Sequence, residues 1–589
     1  MANEDYKREL LEHLNEEQRA ACTIEQNCVL MACPGSGKTR TIVYRLAWLQ
    51  LCHPESRKLN IAITYTNRAS EEMENRLQDM GVESTSAWTG TIHQFCMEFI
   101  VRKYSMYSER LRFGYKIIDE YQTDKYIKDI FREQGITDKY YDWEKDNNIL
   151  SIYKEKLIAN KEIDFNDILS LSLTLLRCNP FIAENISKII SSIQIDEYQD
   201  TNESQYQILA EIYRHNPSIT VMFVGDVNQA IYSNLGGVAK TTEEITRLFG
   251  TPFIELILHG CYRSTQRIIN YYSEYAVNKV NITSKSNNCN VRGIITYNSS
   301  IKKKDVGAHI ASIIRNEIAN GVRENDICIV APQWGYLYGI SKELRNLLPD
   351  VNFDAPDITA FKYDPMNPFY LIASLLFTLP GNHERLRKKK ASEFLYIIQS
   401  DYNISFKRKY EALDLLETIN KCRTDKWLYE GLDLYKFTVG EIFESAGISF
   451  EDEAYLKTQY QTFIEKTEKR ISTYSLGRTV DDFESFFKEK QGIVITTLHS
   501  VKGEEYHTVI AFGLLNGILP HWDYIFNNNG LGKRRRCDTY RLLYVLLSRA
   551  KQNIFLISEK ERYTKKGSEY TPTDELQQIN IDFDPWPSI

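Results

Sequence analysis

A segment near the amino terminus has the residue types that bind the phosphates of a nucleotide. It comprises Ala32, Cys33, Pro34, Gly35, Ser36, Gly37, Lys38 and Thr39, with Arg40 directly after it. Glycines allow the backbone to approach an anion, and the N–H groups at the start of a helix point at it. In this interpretation Lys38 reaches the β- and γ-phosphates, and the Thr39 hydroxyl is a ligand of Mg²⁺. The alternative is an ordinary glycine- and serine-rich turn, since alanine stands where the strict pattern begins with glycine.

Two adjacent carboxylates follow an apolar run farther along the chain. Asp196 and Glu197 come directly after residues 193–195. In a nucleotide hydrolase such a pair supplies a Mg²⁺ ligand, here Asp196, and the base for the attacking water, here Glu197. A second apolar run, 221–224, leads to Gln229, whose amide is suited to sensing the γ-phosphate. A pair of loop acids is the alternative, which the phosphate-binding segment upstream makes less attractive.

Polar and aromatic side chains also stand at the ends of two other apolar runs. Tyr65 follows the run 61–64 and is suited to stacking on a base. The side chains after it can hold phosphates, namely Thr66, Asn67 and Arg68. Thr91 and His93 occupy a similar place before a predicted helix, although that signal alone is weak.

The elements around these residues predict how they are held. The run 28–31 reads as a buried strand, and residues 40–49 have the apolar spacing of a helix. A strand, a glycine-rich loop and a helix together describe a phosphate-binding loop. Upstream, Asn15 and Gln18 have the spacing of a helix capping box. The Gln18 amide is also suited to reading the edge of an adenine, and the two roles are compatible.

The composition is that of a globular protein with several domains. A chain of 589 residues suggests roughly four domains of about 150 residues each. Hydrophobic residues make up 43% and charged residues 26% of the chain. The net charge of −7 excludes a basic coat over the whole surface. Any nucleic-acid site must therefore be a local groove.

Cysteine usage and apolar runs exclude several other classes of protein. The 11 cysteines include no C-x-x-C pair, so neither a zinc site nor an iron–sulfur cluster is indicated. The amino terminus lacks the apolar core of a signal peptide. The longest strongly apolar stretch, 369–379, is far shorter than the ~20 residues of a membrane span. We expect a soluble, cytoplasmic protein with reduced thiols and no membrane partner.

Several motifs occur in a characteristic order along the chain. They are 14–18, 32–39, Thr64-Tyr65-Thr66-Asn67, 164–165, Asp196-Glu197-Tyr198-Gln199-Asp200, Gly225-Asp226-Val227-Asn228-Gln229, Cys261-Tyr262-Arg263-Ser264, 495–506 and 544–550. In residue type, order and spacing they resemble the superfamily 1 helicases of the UvrD/Rep/PcrA type. The resemblance covers essentially the whole chain.

This resemblance implies roles for individual residues. The residues implied to contact ATP are Gln18, Ala32 to Arg40, Tyr262 and Glu505, and those implied to ligate Mg²⁺ are Thr39 and Asp196. The residues implied to act in catalysis are Lys38, Glu197, Gln229, Arg263 and Arg549. The residues implied to contact DNA are Tyr65, Thr66, Asn67, Thr91, His93, Tyr232 and His499. Tyr262 would stack on the adenine. Arg263 and Arg549 would reach the γ-phosphate from a second domain, so hydrolysis would depend on closure of a cleft.

The implied fold class is α/β, with two RecA-like P-loop domains that have mainly parallel sheets and each carry a mostly helical insertion. The predicted ranges are 1–100 and 161–255 for the first motor domain, 101–160 for its insertion, 256–353 and 488–589 for the second motor domain, and 354–487 for the accessory insertion. The basic runs 385–390 and 533–536 are predicted to be solvated loops, and contact with phosphate is the alternative.

The implied function is that of an ATP-dependent DNA helicase or translocase with 3′-to-5′ polarity, acting in DNA repair or anti-phage defence. Its cofactors would be ATP and Mg²⁺, and its partners single-stranded DNA and tailed duplex DNA. Asn234 stands where the family usually has an aromatic residue that stacks on DNA, which predicts a weaker grip. The alternative is a DNA-responsive regulatory ATPase with weak unwinding, bound to a partner nuclease. It would resemble the compact UvrD-like component of the Gabija anti-phage system, whose partner is an OLD-family (GajA-like) nuclease.

Overall fold

Two parallel β-sheets form the frame of the protein. They belong to a computed structural model that describes residues 2–82, 86–118, 120–137, 141, 143–232, 236–355, 359–364, 367–379, 381, 384–402, 404–406, 409–424, 430–449, 453–474, 476–488, 492–521, 532–579 and 581–587. Within these residues, no helix combines the length and the apolar character needed to cross a bilayer.

The strands, numbered in chain order, are β1 (Cys28–Ala32), β2 (Leu59–Thr64), β3 (Ala87–Thr91), β4 (Lys116–Ile117), β5 (Glu162–Ile163), β6 (Ile190–Asp196), β7 (Thr220–Gly225), β8 (Ile254–Leu258), β9 (Gly260–Cys261), β10 (Thr283–Ser284), β11 (Ile294–Asn298), β12 (Ile327–Ala331), β13 (Phe353–Asp354), β14 (Ile493–Thr497), β15 (Tyr506–Ala511) and β16 (Ala550–Ile557). The first six-stranded sheet has the order β3-β2-β6-β7-β1-β8, and the second has the order β11-β16-β15-β12-β14-β13. All pairings within both sheets are parallel. The predicted α/β fold with two mainly parallel sheets is confirmed.

The pairing of the first sheet brings the carboxyl ends of its strands to one edge. Thr64 of β2 lies opposite Thr91 of β3, and Asp196 of β6 lies opposite Val224 of β7. These strands are almost fully buried because helices cover both faces of the sheet. The polar residues that follow the strands therefore collect at one edge, which is where open α/β sheets bind ligands.

The first sheet continues beyond the predicted end of its domain at residue 255. β8 pairs with β1 through Leu258, which lies opposite Ala32. The boundary between the two sheet domains is therefore after Leu258. The apolar pattern of the sequence did not predict this strand because Glu255 interrupts its apolar run.

Helices pack on both faces of the first sheet. They are Ala2–Glu12, Glu16–Thr23, Lys38–Cys52, Asn67–Asp79, Ile92–Phe95, the π-helix Cys96–Val101, Arg102–Tyr104, Phe165–Cys178, Pro180–Lys188, Glu203–His215 and Thr242–Phe249. Side-chain caps fix where several of them begin, as Thr66, Asp164 and Asn202 each accept a hydrogen bond from the first turn of the helix that follows. Two separate apolar cores fill the two faces of the sheet.

A small insertion interrupts the first domain. Its helices are Glu120–Glu133 and Asn147–Ala159, and the short parallel pair β4–β5 lies at its base. Ile127, Ile130 and Tyr153 belong to an apolar core that the insertion has of its own.

The second domain repeats the plan of the first. Its helices are Gln266–Ser273, Val306–Ala319, Trp334–Leu347, Gly532–Leu547 and Asp574–Gln577. Short 3-10 turns occur in both domains and in the first insertion at Ser105–Tyr107, Trp143–Lys145, Tyr198–Asp200, Val227–Gln229, Lys303–Asp305 and Glu324–Asp326. The sheet again has an apolar core on each face.

The accessory insertion of the second domain is helical. Its helices are Pro368–Phe377, Glu384–Tyr396, the π-helix Ile397–Asp401, Ala412–Thr424, Gly431–Ala446, Ala454–Tyr474 and Val480–Ser485. They enclose an aromatic-rich core that includes Phe361, Phe377 and Phe463.

The prediction that the two basic runs lie in loops is wrong. Residues 385–390 lie in the helix Glu384–Tyr396, and residues 533–536 lie in the helix Gly532–Leu547. The first run contacts the first domain. Arg385 Nε is 2.7 Å from Glu74 Oε1, and Lys390 Nζ is 3.0 Å from Glu71 Oε1. The sequence did not reveal these partners because Glu71 and Glu74 lie far from the run along the chain.

Candidate active site

The glycine-rich loop between β1 and the helix Lys38–Cys52 has the backbone of a phosphate-binding loop. Gly35 and Gly37 have φ angles of +70° and +82°, which glycine adopts without strain. A Cβ atom at Gly35 would lie 2.5 Å from the Cβ atom of Arg263, so a larger residue is excluded there. The backbone N–H of Tyr262 donates to the Gly35 carbonyl at 2.8 Å. The loop of the first domain thus touches the segment of the second domain that carries Tyr262 and Arg263.

The side chains of the loop fit a Mg·phosphate group. The Ser36 hydroxyl is buried and has no hydrogen-bond partner within the described part of the chain, so a phosphate oxygen would satisfy it. Thr39 Oγ1 lies 3.4 Å from Asp196 Oδ2, so two oxygen ligands of the kind that Mg²⁺ prefers are adjacent. The described residues contain no cluster of three or more His, Cys, Asp or Glu side chains suited to a metal. The remaining ligands of Mg²⁺ would be phosphate oxygens and water.

Glu197 forms an ion pair with the lysine of the loop. Lys38 Nζ is 2.7 Å from Glu197 Oε1, and Gln199 donates to the other carboxylate oxygen. Burial raises the pKa of Glu197, but the charges of Lys38 and Lys502 outweigh this and hold it below its usual range. Burial and the neighbouring charge of Glu197 raise the pKa of Asp196. Glu197 is therefore ionised, which a general base requires.

Glu197 also has an unusual backbone conformation. Its φ angle is +52°, in the left-handed region that residues other than glycine seldom adopt. The Glu197 N–H donates to Asp196 Oδ1 at 2.9 Å and holds the turn. This turn points the two adjacent carboxylates to different partners, Asp196 to Thr39 and Glu197 to Lys38.

Gln229 and Arg549 connect the two domains at this site. Gln229 Nε2 donates to Asp226 Oδ2 at 2.8 Å, and Arg549 Nη2 donates to Gln229 Oε1 at 3.0 Å. Arg549 is only 2% exposed, and burial lowers its pKa to about 9. The hydrogen bonds run from the end of β7 to the residue just before β16, which couples the first domain to the second.

Arg263 is held by its own domain at the mouth of the loop. Its Nε lies 2.9 Å from Glu505 Oε2, and its Nη1 donates to the Ser548 carbonyl at 2.9 Å. Glu505 also pairs with Lys551 at 3.0 Å. Burial raises the pKa of Glu505, but Arg263 and Lys551 outweigh it and lower that pKa to about 2. The contact of Glu505 with a ribose stays a prediction.

Gln18 supports the loop from the amino-terminal side. The predicted capping box with Asn15 is present at the start of the helix Glu16–Thr23. Gln18 Nε2 also donates to the Ser36 carbonyl at 2.9 Å, and Asn15 Nδ2 donates to the Tyr262 hydroxyl at 2.6 Å. Tyr262 is 44% exposed, so its ring is accessible for stacking. The adenine contacts of Gln18 and Tyr262 stay predictions.

The remaining residues of the predicted nucleotide site differ in their surroundings. Ala32, Cys33 and Pro34 are all buried, and Pro34 also borders the cleft between the domains. Arg40 also lines the cleft, but its Nη2 donates to the carbonyl of His13 at 2.7 Å, on the amino-terminal side of the loop.

Three rings predicted to contact DNA lie together across the cleft. Tyr65 and Tyr232 are stacked, with ring centroids 4.9 Å apart and an interplanar angle of 22°. The ring of His499, from the second domain, is 6.1 Å from that of Tyr232. Tyr65 is 39% exposed, and a base that enters between the two tyrosines must separate them.

Three of the four other predicted DNA contacts have structural partners. Thr66 and Thr91 cap the helices that follow them. His93 packs edge-on against Phe165, and burial lowers its pKa to about 4, so the imidazole is neutral. Asn67 lines the cleft. DNA contact by these four residues stays a prediction, and the departure at Asn234 lies outside the described residues.

Lys502 is a functional candidate that the sequence analysis missed. Its Nζ pairs with the buried carboxylate of Asp200 and donates to the Gln229 carbonyl at 2.7 Å. The same Nζ lies 5.2 Å from the centroid of the Tyr232 ring. Lys502 and Asp200 both lie within motifs of the sequence analysis, so the sequence showed that each position carries a charge. Their pairing joins residues far apart in sequence and has no local signal.

Family models match both halves of the chain. The model described as the UvrD/REP helicase N-terminal domain matches residues 14–147 and 132–250. The model described as the UvrD-like helicase C-terminal domain matches residues 443–561. These ranges contain the glycine-rich loop, the adjacent carboxylates and Arg549.

Curated relatives extend the similarity over nearly the whole chain. A protein of Bacillus subtilis (strain 168) named ATP-dependent DNA helicase PcrA is 25% identical over an alignment of 647 positions, which covers 94% of this chain and 84% of the relative. Proteins of the same name from Staphylococcus aureus (strain MRSA252) and Staphylococcus epidermidis are 23% identical with the same coverage.

Proposed function

Because the chain belongs to the UvrD-like helicase family, we propose that it is a motor that moves along single-stranded DNA in the 3′-to-5′ direction and separates tailed duplexes. Membership of the family makes it a DNA-dependent ATPase of the helicase class. The polarity, and a role in DNA repair or in anti-phage defence, are the further content of the proposal.

One observation carries the coupling of hydrolysis to movement that the proposal requires, namely the position of Lys502, whereas the polarity rests on the resemblance to the family. This side chain contacts the Gln229 carbonyl in the nucleotide site, and its Nζ lies 5.2 Å from the Tyr232 ring in the strand site. A change at Gln229 therefore moves a cation that touches the ring on which a base would stack. A motor needs such a connection, because each hydrolysis event must change the grip on the strand.

The residues of the cleft divide the chemical work. Bound ATP and Mg²⁺ would supply the reactive phosphoryl group and the neutralisation of its charge. Lys38 and the loop N–H groups hold the phosphates, and Glu197 accepts a proton from the attacking water. Arg263 and Arg549 bring positive charge from the second domain, so the charge that develops is stabilised only when the cleft is closed.

Unwinding of tailed duplexes tests the proposal. Fluorescent duplexes with a 3′ tail or a 5′ tail are mixed with the protein, ATP and Mg²⁺, and strand separation is followed in time. The proposal predicts separation of the 3′-tailed duplex alone, and none with the Glu197→Gln variant. Preference for the 5′ tail would overturn the polarity.

A second candidate is a regulatory ATPase that serves a partner nuclease. The observation in its favour is Asn234 in place of the usual aromatic residue, since an amide offers little stacking area. In that case ATP hydrolysis on DNA exceeds strand separation, and Asn234→Trp increases the number of duplexes unwound per ATP. Efficient unwinding by the wild-type protein, with no gain from Asn234→Trp, would exclude this candidate.

A further inference from the structure

We propose that Asn228 is a positioning residue, which ties the turn that carries Gln229 to the second domain and so sets where the Gln229 amide meets Arg549. The inference rests on the proposed function and deepens it. It names the contact through which the response of Gln229 to a γ-phosphate depends on the position of the second domain.

The side chain of Asn228 forms two hydrogen bonds with the main chain of the second domain. Its Nδ2 donates to the Asn278 carbonyl at 2.9 Å, and its Oδ1 accepts from the Asn278 N–H at 2.8 Å. Asn278 lies between the helix Gln266–Ser273 and β10, and Asn228 is only 3% exposed. Breaking this contact is costly, because a buried donor and a buried acceptor would both lose their partners. The contact therefore fixes the turn to this segment of the second domain.

The turn Val227–Gln229 transmits the position of Asn228 to Gln229. Asp226 caps the turn, since its Oδ1 accepts from the Asn228 N–H at 2.9 Å. The other oxygen of the same carboxylate, Oδ2, accepts from Gln229 Nε2 at 2.8 Å. One buried carboxylate thus holds both the backbone of Asn228 and the side chain of Gln229. A displacement of Asn228 must therefore displace the Gln229 amide.

The contacts of Gln229 itself with the second domain are of a different kind. Arg549 donates to its side-chain oxygen at 3.0 Å, and Lys502 donates to its carbonyl at 2.7 Å. Both partners are cations, and a γ-phosphate would compete with Gln229 for Arg549. The contact of Asn228 involves neither a charge nor a phosphate-binding group. It is therefore suited to hold the turn in place while the contacts of Gln229 change.

Steady-state ATP turnover of Asn228→Ala at saturating single-stranded DNA tests the inference. Loss of two hydrogen bonds corresponds to a change of about 5- to 160-fold, and we expect kcat to fall within this range. The KM for ATP should stay unchanged, because the glycine-rich loop of the first domain holds the phosphates. The stoichiometry of ATP-analogue binding gives the folded fraction, to which kcat is normalised. A raised KM with unchanged kcat would contradict the inference.

Asn278→Ala is the matched control. Both hydrogen bonds use main-chain atoms of Asn278, which is otherwise exposed, so the contact survives this substitution and kcat should equal that of wild type. Asn228→Asp keeps the size of the side chain and its acceptor but loses the amide donor, so kcat should fall at least as far as in Asn228→Ala. This variant gives the same test if Asn228→Ala does not fold. A wild-type kcat in Asn228→Asp would contradict the inference.

A double-mutant cycle with Gln229→Ala shows whether Asn228 acts through Gln229. We expect Asn228→Ala to lower kcat in the wild-type background and to have no further effect in the Gln229→Ala background. Additive losses of kcat in the double variant would overturn the inference and leave the proposed function intact. If the wild-type protein hydrolyses ATP at the same rate with and without single-stranded DNA, the proposed function itself fails.

Discussion

Replacing Glu197 with glutamine separates nucleotide binding from hydrolysis. In the structure Glu197 holds Lys38 at 2.7 Å, so Lys38 must leave this carboxylate before it can bind a phosphate. Glutamine keeps the shape of the side chain but removes the charge and the basicity. We therefore expect Glu197→Gln to bind ATP more tightly and to hydrolyse it far more slowly.

The sizes of both effects follow from the burial of the pair. The Lys38 and Glu197 side chains are 11% and 22% exposed. Exposed pairs contribute about 0.2–1 kcal/mol, and removal of one partner from a buried pair costs about 3–5 kcal/mol. The Lys38–Glu197 pair is intermediate in burial, so we assign it an interaction free energy of about 1–3 kcal/mol. Loss of this interaction corresponds to ATP binding that is about 5- to 160-fold tighter. Loss of the general base lowers turnover by at least ~10²-fold.

The assay combines a binding titration with phosphate release. A fluorescent ATP analogue gives the dissociation constant, and a phosphate sensor gives turnover at saturating ATP and DNA. Glu203→Gln is the matched control, because Glu203 pairs with Lys240 at 2.7 Å and is 50% exposed at the surface of the same domain. The control should leave both quantities unchanged. Turnover near the wild-type value in Glu197→Gln would refute the assignment of Glu197 as the base. Weaker ATP binding in this variant would refute the argument that the ion pair with Lys38 competes with the phosphates.

Three further predictions follow from other contacts in the structure. Lys38→Ala should abolish both turnover and tight Mg·ATP binding in the same two assays, because the phosphates lose their cation; retained binding would contradict this. Tyr65→Ala should raise the DNA concentration needed for half-maximal stimulation of ATP turnover about 5- to 160-fold, because stacking on a base is lost. The KM for ATP should stay unchanged, and a change in this KM alone would indicate that Tyr65 contacts the nucleotide instead. Glu74→Gln removes the partner of Arg385 and should speed hydrogen exchange in the helix Glu384–Tyr396, whereas Glu72→Gln, at the exposed pair with Arg76, should not.

The sequence predicted the parts of the site that depend on local chemistry. Gly35 and Gly37 adopt positive φ angles, which glycine adopts more readily than other residues. Asn15 forms the predicted capping box with Gln18. Asp196 ends its strand beside Thr39 because parallel strands place their carboxyl ends at one edge. Local spacing was sufficient in each of these cases.

Contacts between distant segments could not be predicted in the same way. The ion pair of Lys502 with Asp200 and the docking of Arg385 on Glu74 join residues from different domains. From the sequence alone, each of these charged side chains is expected at the solvated surface. Only the fold brings it to its partner.

The coupling between the strand site and the nucleotide site is tested most directly by ATP turnover with and without DNA. Phosphate release by the wild-type protein is measured at saturating ATP while the concentration of a long thymidine oligonucleotide is raised, at low and at moderate salt. The contact of Lys502 with both Gln229 and Tyr232 predicts a saturable rise in turnover, with a half-saturation point that increases steeply with salt. Turnover that is the same with and without the oligonucleotide at both salt concentrations would contradict it.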